Sequence, residues 1–212
     1  MPLVLWSGGC DSTLLLRDLL AKYSGGAGLN EYPPPVRTIS FTHPNVCAGD
    51  ENRRARDAIY PILTKRFGHF ERLEVAISSA VVGTDRSGDP ASCAAGVIQP
   101  AIWLFHSALA LGDTEDLYAG YVNGDDAIKY RSQIDDAFRA MQQMTYRTGE
   151  LRTPFAWTTK ATVIRRLKEE GLHRHVWWCE APHDGKKGKP CGGCKPCKTH
   201  RTALWQIEQG ID

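Results

Sequence analysis

Between a short apolar run, Pro2 to Trp6, and a leucine-rich run of helical spacing, Ser12 to Tyr23, the chain reads Ser7-Gly8-Gly9-Cys10-Asp11-Ser12-Thr13. No other stretch constrains the fold as much. Two glycines let the backbone turn tightly and approach a ligand with no Cβ in the way. The helix that follows presents unpaired N–H groups and the positive end of its dipole, which suit phosphate oxygens. Ser7, Ser12 and Thr13 add hydroxyl donors. Asp11 would be repelled by bare phosphate, so it is expected to brace the loop, cap the helix or help hold Mg²⁺. The bland reading is a glycine turn with a Ser/Asp cap, which a Gly-Gly pair alone would deserve. No Gly-Lys-Ser/Thr is present, so this is not a Walker loop.

Strand-like and helix-like runs keep alternating downstream. Strands are predicted at Val36–Thr42, Arg72–Ile77, Leu117–Val122 and, briefly, Phe155–Trp157. Helices are predicted at Asp50–Phe67, with Arg and Lys on its outer face, at about Pro100–Leu111, at Tyr130–Met144 and at Thr159–Glu170, with a short closing helix. The glycines after Tyr23 and the prolines at 33 to 35 read as a surface loop, and Ser78 to Ala95 as a loop long enough to be suspected of function. This alternation predicts an α/β fold, a parallel doubly wound sheet with helices on both faces and ligands at the carboxyl ends of its strands.

Cys179, Cys191, Cys194 and Cys197 are separated by eleven, two and two residues. That spacing lets four thiolates close a tetrahedral site, which suits structural Zn²⁺ and leaves no open catalytic position. An iron–sulfur cluster, a redox dithiol, or His183 or His200 replacing one cysteine are the rival readings. Cys10, Cys47 and Cys93 stand apart; buried packing is the expectation for the first two, and a reactive thiol is weighed for Cys93. Lys186, Lys187, Lys189, Lys195, Lys198 and Arg201 surround the cysteines and read as a solvated face before a nucleic-acid patch.

Gly120 to Asp126 follows a predicted strand, which puts Asp125 and Asp126 at the cleft, either to hold Mg²⁺ and a base-like ring or merely to make a turn. Tyr130 and Arg131 offer a stacking surface and an anion partner. Lys160 starts a helix against its dipole, so a nearby anion is expected, and phosphate is one candidate. A net charge of +2 points to no nucleic-acid or acidic-membrane partner. The amino terminus lacks a signal-peptide pattern, and Ala101–Leu111 is too short to span a bilayer, so a cytoplasmic protein is expected.

The loop at 7 to 12 resembles the pyrophosphate loop, Ser-Gly-Gly-x-Asp-Ser, of the ATP pyrophosphatases. With Gly120-x-x-x-x-Asp125, Tyr130-Arg131 ahead of Phe138, Pro154-Phe155-Ala156-Trp157-Thr158-Thr159-Lys160 and Trp178-Cys179 before Cys191-Gly-x-Cys194-x-x-Cys197, the chain resembles the 7-cyano-7-deazaguanine synthase family over nearly its whole length. The resemblance implies an adenine nucleotide alpha hydrolase-like domain over 1–172 and a zinc-binding segment over 173–212. It implies an enzyme using ATP, Mg²⁺ and Zn²⁺ to convert 7-carboxy-7-deazaguanine with ammonia to the amide and then the nitrile. Ser7, Gly8, Gly9, Cys10, Asp11, Ser12 and Thr13 would hold the nucleotide, Asp11 and Lys160 would serve catalysis, and Asp125, Asp126, Tyr130 and Arg131 the substrate. A homodimer is also admitted.

Two stretches depart from the family pattern, Phe41-Thr42-His43-Pro44-Asn45 and Ile98-Gln99-Pro100-Ala101-Ile102. They keep open a protein amine as acceptor in place of ammonia, as in related anti-phage enzymes. A tRNA-thiolating enzyme and a non-catalytic zinc-bearing nucleic-acid binder are the remaining alternatives.

Overall fold

The computed structural model describes residues 1–24, 36–42, 48–77, 98–180 and 188–211, with side chains at 98–102 and 126 left aside. The expectations for Cys47, Cys93, His183, Lys186 and Lys187, for the loops at 25–35 and 78–95, and for residues 43–45 of the first departing stretch lie outside the described residues, and of the second stretch, 98–102, only the backbone is described.

Five parallel strands form one sheet in the order β3-β2-β1-β4-β5: β1 Pro2–Leu5, β2 Arg37–Thr42, β3 Glu71–Ala76, β4 Asp116–Tyr118 and β5 Leu151–Arg152. The helices are α1 Cys10–Ser24, α2 Gly49–Phe67, α3 Ile98–Ala110, α4 Asp126–Lys129, α5 Arg131–Met144, α6 Lys160–Glu169 and α7 Lys195–Glu208, with a 3₁₀ turn at His173–His175. Side chains alternate across a strand, and β1 uses both faces. Val4 joins a core with the α1 leucines, Ile59 and Leu63 of α2, Val163 and Ile164 of α6 and Ala203 of α7. Leu3 joins a second core with Ile39, Leu104, Leu117, Ile134 and Phe138, under α3 and α5. The predicted α/β architecture is therefore present, with α7 packed into the same core as α1 and α6.

The central β1 lies between β2 and β4, so the direction of strand progression reverses there. In open parallel sheets, that reversal opens a crevice at the carboxyl ends of the strands. The glycine-rich loop leaves β1 at this point, and the Gly120–Asp125 stretch follows β4 beside it.

Two local expectations need correction. Phe155–Trp157 is a turn, in which Ala156 N–H donates to Thr153 O at 3.1 Å and Thr158 N–H to Phe155 O at 2.8 Å. The edge strand is instead Leu151–Arg152, paired with Leu117 and Tyr118. The predicted strand Leu117–Val122 ends at Tyr118. Beyond it the chain must pass close to α1 and then turn, with Asp125 accepting from Val122 N–H at 2.9 Å.

Candidate active site and metal centre

Gly8 adopts φ +87°, and a Cβ there would lie 2.7 Å from Asn52 O and 3.1 Å from Arg56 Cγ. Both the backbone conformation and the packing of α2 against the loop therefore require glycine. Helix α1 begins at once, with Thr13 N–H donating to Gly9 O at 3.1 Å. The serines bind each other: Ser7 N–H donates to Ser12 Oγ at 3.2 Å, the two hydroxyls are 3.0 Å apart, and Gly9 N–H donates to Ser7 Oγ at 3.2 Å. Gly120 packs against the far side of this turn, where a Cβ would meet the backbone of Asp11 and Ser12 at 2.8 Å.

Two successive loop carbonyls are held from outside. Arg56 Nη1 donates to Ser7 O at 3.2 Å, and Trp177 N–H donates to Gly8 O at 3.1 Å. Within a trans peptide the C=O and the next N–H point in opposite directions, and no peptide here is cis. Each clamp on a carbonyl therefore orients the N–H of the following glycine.

Asp11, in the first turn of α1, is ion-paired through Oδ2 with Lys160 Nζ. Its Oδ1 is buried with no hydrogen-bond partner. Lys160 is the first residue of α6, which is capped by Thr159 Oγ1 accepting from Thr162 N–H at 3.1 Å. Burial works against the ammonium, but Asp11, Cys10 and Asp125 outweigh it and raise the Lys160 pKa, so the charge is kept. The anion that draws a lysine to this helix start is thus Asp11. Asp125 sits close enough to feel both: burial, then the Asp11 charge, push its carboxyl up to about 6, against Val122 N–H, Lys160 and Lys195.

The other expected site residues lie in α1, in α4 and at the start of α5. Thr13 is fully buried and its hydroxyl accepts from Trp6 Nε1 at 3.1 Å, and Cys10 is buried with its thiol pushed up to about 12, so both side chains are committed inward. Tyr130 precedes α5 and is partly exposed, and Arg131 lies 3.8 Å from Asp135 on its own helix rather than on the Asp11–Lys160 pair. Asp126 is the first residue of α4.

The sulfurs of Cys179, Cys191, Cys194 and Cys197 all lie within 4.8 Å of one another, with Cys194–Cys179 at 3.9 Å and Cys191–Cys197 at 4.0 Å. Tetrahedral ligands at a Zn–S distance of about 2.3 Å stand about 3.8 Å apart, so the donor set fits one zinc ion. Backbone N–H groups point at these sulfurs, from Cys191 to Cys179 at 3.2 Å and from Cys194 to Cys191 at 3.3 Å, as thiolates require. His200 is not drawn to the cluster. It is buried, stacked on Trp178 at 3.8 Å between ring centroids, and 3.0 Å from His173 through Nε2.

Sequence reasoning missed Arg56 and Trp177. Arg56 belongs to a run, Arg53-Arg54-Ala55-Arg56, on a helix expected to carry Arg and Lys on its outer face, yet it is only 1% exposed. Its one available signal was position: Arg56, Ile59 and Leu63 share a helix face. Trp177 acts through its backbone, which no residue type reveals.

The described residues thus form a parallel α/β sheet with a glycine-rich loop at its reversal point, an adjacent acid–lysine pair and a carboxyl-terminal cluster of four cysteines that could hold a metal ion. The family likeness is carried by the carboxyl-terminal half: residues 105–208 match the QueC family, described as queuosine biosynthesis protein QueC. The resemblance to the 7-cyano-7-deazaguanine synthases holds over those residues, which include Lys160 and all four cysteines. No curated protein matches the chain. Among solved structures, a predicted subunit of tRNA methyltransferase from Methanocaldococcus jannaschii aligns with 16% identity and a TM-score of 0.47, covering 100% of this chain and 88% of that one. So loose an overlap bears on nothing further. No described helix is long and apolar enough to cross a membrane.

Proposed function

We propose that this protein uses ATP to activate the carboxylate of 7-carboxy-7-deazaguanine and forms first the amide and then the nitrile with ammonia. The observation that carries this reading is the Asp11–Lys160 pair, which joins the glycine-rich loop to the QueC-like half of the chain in one site.

A carboxylate is a poor electrophile because its oxygen leaves badly. Its attack on the α-phosphorus of ATP expels pyrophosphate and makes AMP the leaving group. Ammonia then attacks the carbonyl carbon, a proton is lost, and AMP departs to leave the amide. A second adenylation, on the amide oxygen, lets AMP leave with loss of both nitrogen protons, giving the nitrile. The chain's part is orientation and charge stabilisation. The Gly8–Ser12 turn would hold the departing pyrophosphate and Lys160 the transferring phosphoryl. Asp11 Oδ1, buried and unpartnered, suits Mg²⁺, which when bound with ATP supplies charge neutralisation. Asp125, with its carboxyl near 6, is suited to take the proton of the attacking amine at neutral pH. The cysteine centre would hold zinc and keep the 173–212 segment beside the loop, where Trp177 binds Gly8.

A mass-resolved turnover assay tests this. Protein with 7-carboxy-7-deazaguanine, ATP, Mg²⁺ and ammonia should release AMP with amide or nitrile, and a Ser12→Ala, Asp11→Ala double variant should not. AMP without a small-molecule product would redirect the reading to a protein amine acceptor. No AMP from folded, metal-loaded protein would refute an ATP-using enzyme and favour a nucleic-acid-binding module.

A further inference from the structure

Arg56 is buried against the Gly8 turn, yet it uses little of its hydrogen-bonding fork. Nη1 donates to Ser7 O at 3.2 Å, whereas Nε and Nη2 have no hydrogen-bond partner among the described residues. The nearest carboxylate oxygen, Glu74 Oε1, stands 3.5 Å from Nη2 and is also held by Arg72 Nη2 at 2.8 Å. Arg72 has a second partner in Asp57 at 2.9 Å. Guanidinium groups are expensive to bury, and buried ones ordinarily satisfy their donors in pairs. The Glu74 ion pair is thus long and uses one nitrogen, and the closest contact is a single loop carbonyl.

That carbonyl opens the glycine-rich turn. With Ser7 C=O drawn to Arg56, the Gly8 N–H of the same trans peptide points the opposite way, away from α2. The guanidinium remains charged at any physiological pH, and its field in a dry interior is weakly screened.

We infer that Arg56 is a positioning residue for phosphate binding: it turns the Ser7–Gly8 peptide so that Gly8 N–H faces a bound pyrophosphate, and sets a buried positive charge behind that peptide. This rests on the loop's holding phosphates, as proposed above. Glu74 opposes the effect, since its carboxylate partly offsets the Arg56 charge from the outer side of the sheet. The two side chains should therefore act on phosphate affinity with opposite signs.

The test is titration calorimetry with magnesium pyrophosphate, ATP and AMP on four full-length, metal-loaded proteins: wild type, Arg56→Gln, Arg56→Lys and Glu74→Gln. Arg56→Gln should weaken pyrophosphate and ATP about tenfold or more while AMP changes by less than about twofold. Arg56→Lys, which keeps a charge and a donor, should restore most of the loss. Glu74→Gln, which leaves Arg72 its Asp57 partner, should tighten pyrophosphate by about two- to fivefold. Should Arg56→Gln fail to fold, the sign of the Glu74→Gln effect decides alone. Unchanged or weaker pyrophosphate affinity in Glu74→Gln overturns the assignment, as does an equal loss of ATP and AMP in folded Arg56→Gln. Wild-type protein that binds neither pyrophosphate nor ATP overturns the phosphate-loop reading itself, and this assignment with it.

Discussion

Asp125 carries a pH signature that can be worked out at the level of one side chain. Its carboxyl is pushed from an ordinary value of 3.8 up to about 6, by burial first and the Asp11 charge second. A carboxyl whose folded pKa exceeds its unfolded one binds more protons when folded, so its contribution to stability falls as pH rises between those values. The penalty is absent below about pH 4 and complete above about pH 6. Asp125→Asn keeps an acceptor for Val122 N–H and removes the charge, so it should stabilise the fold by roughly 1–2 kcal/mol at neutral pH and by almost nothing near pH 4. Urea unfolding at the two pH values checks this, and equal effects at both would show that Asp125 is not held in a dry, acidic neighbourhood. Gly8→Ala meets two obstacles, a φ of +87° and Asn52 O at 2.7 Å. It should lose about 1–2 kcal/mol or more to backbone strain alone, and ATP affinity with it, read by thermal melts and nucleotide titration.

At the scale of elements, legibility followed length. The predicted bounds of the long helices α1, α2, α5 and α6 lie within a residue or two of the observed ones, because each repeats apolar residues over several turns. The two-residue β5 and four-residue α4 have no period to read. Phe155-Ala156-Trp157 misled because its apolar residues serve a turn, with Phe155 and Ala156 packed inward and Trp157 83% exposed. The carboxyl-terminal segment meets the loop through Trp177, two residues before Cys179 of the four-cysteine cluster, whose carbonyl also accepts from Trp177 Nε1 at 2.6 Å. The four cysteine sulfurs lie within 4.8 Å of one another, so a metal held there would tie this segment together. Metal analysis should find one zinc per chain; stripping it should lower the melting temperature by about 10 °C or more and weaken ATP binding through loss of the Gly8 clamp. Unaltered ATP affinity in metal-free, folded protein would disprove that coupling.

At the scale of the whole molecule, the sequence by itself determined the class of fold, the loop, the cysteine centre and the family likeness. Each of these is local: glycines where φ must be positive, thiols at ligand spacing, apolar periodicity along one segment. Only the tertiary structure decided what those pieces do together. Lys160 meets Asp11 across 149 residues of chain, Arg56 reaches Ser7 across 49, and Gly120 packs on Asp11 and Ser12 because no side chain intervenes. Arg56 and Arg53 are the same residue type a turn apart, one behind the loop and the other in solvent. Their difference comes from the packing of α2, whose buried face carries Arg56 with Ile59 and Leu63 and meets the loop at Gly8. Side-chain chemistry is written in each residue, but burial and proximity are properties of the packed chain, and these set which charges are felt at the site.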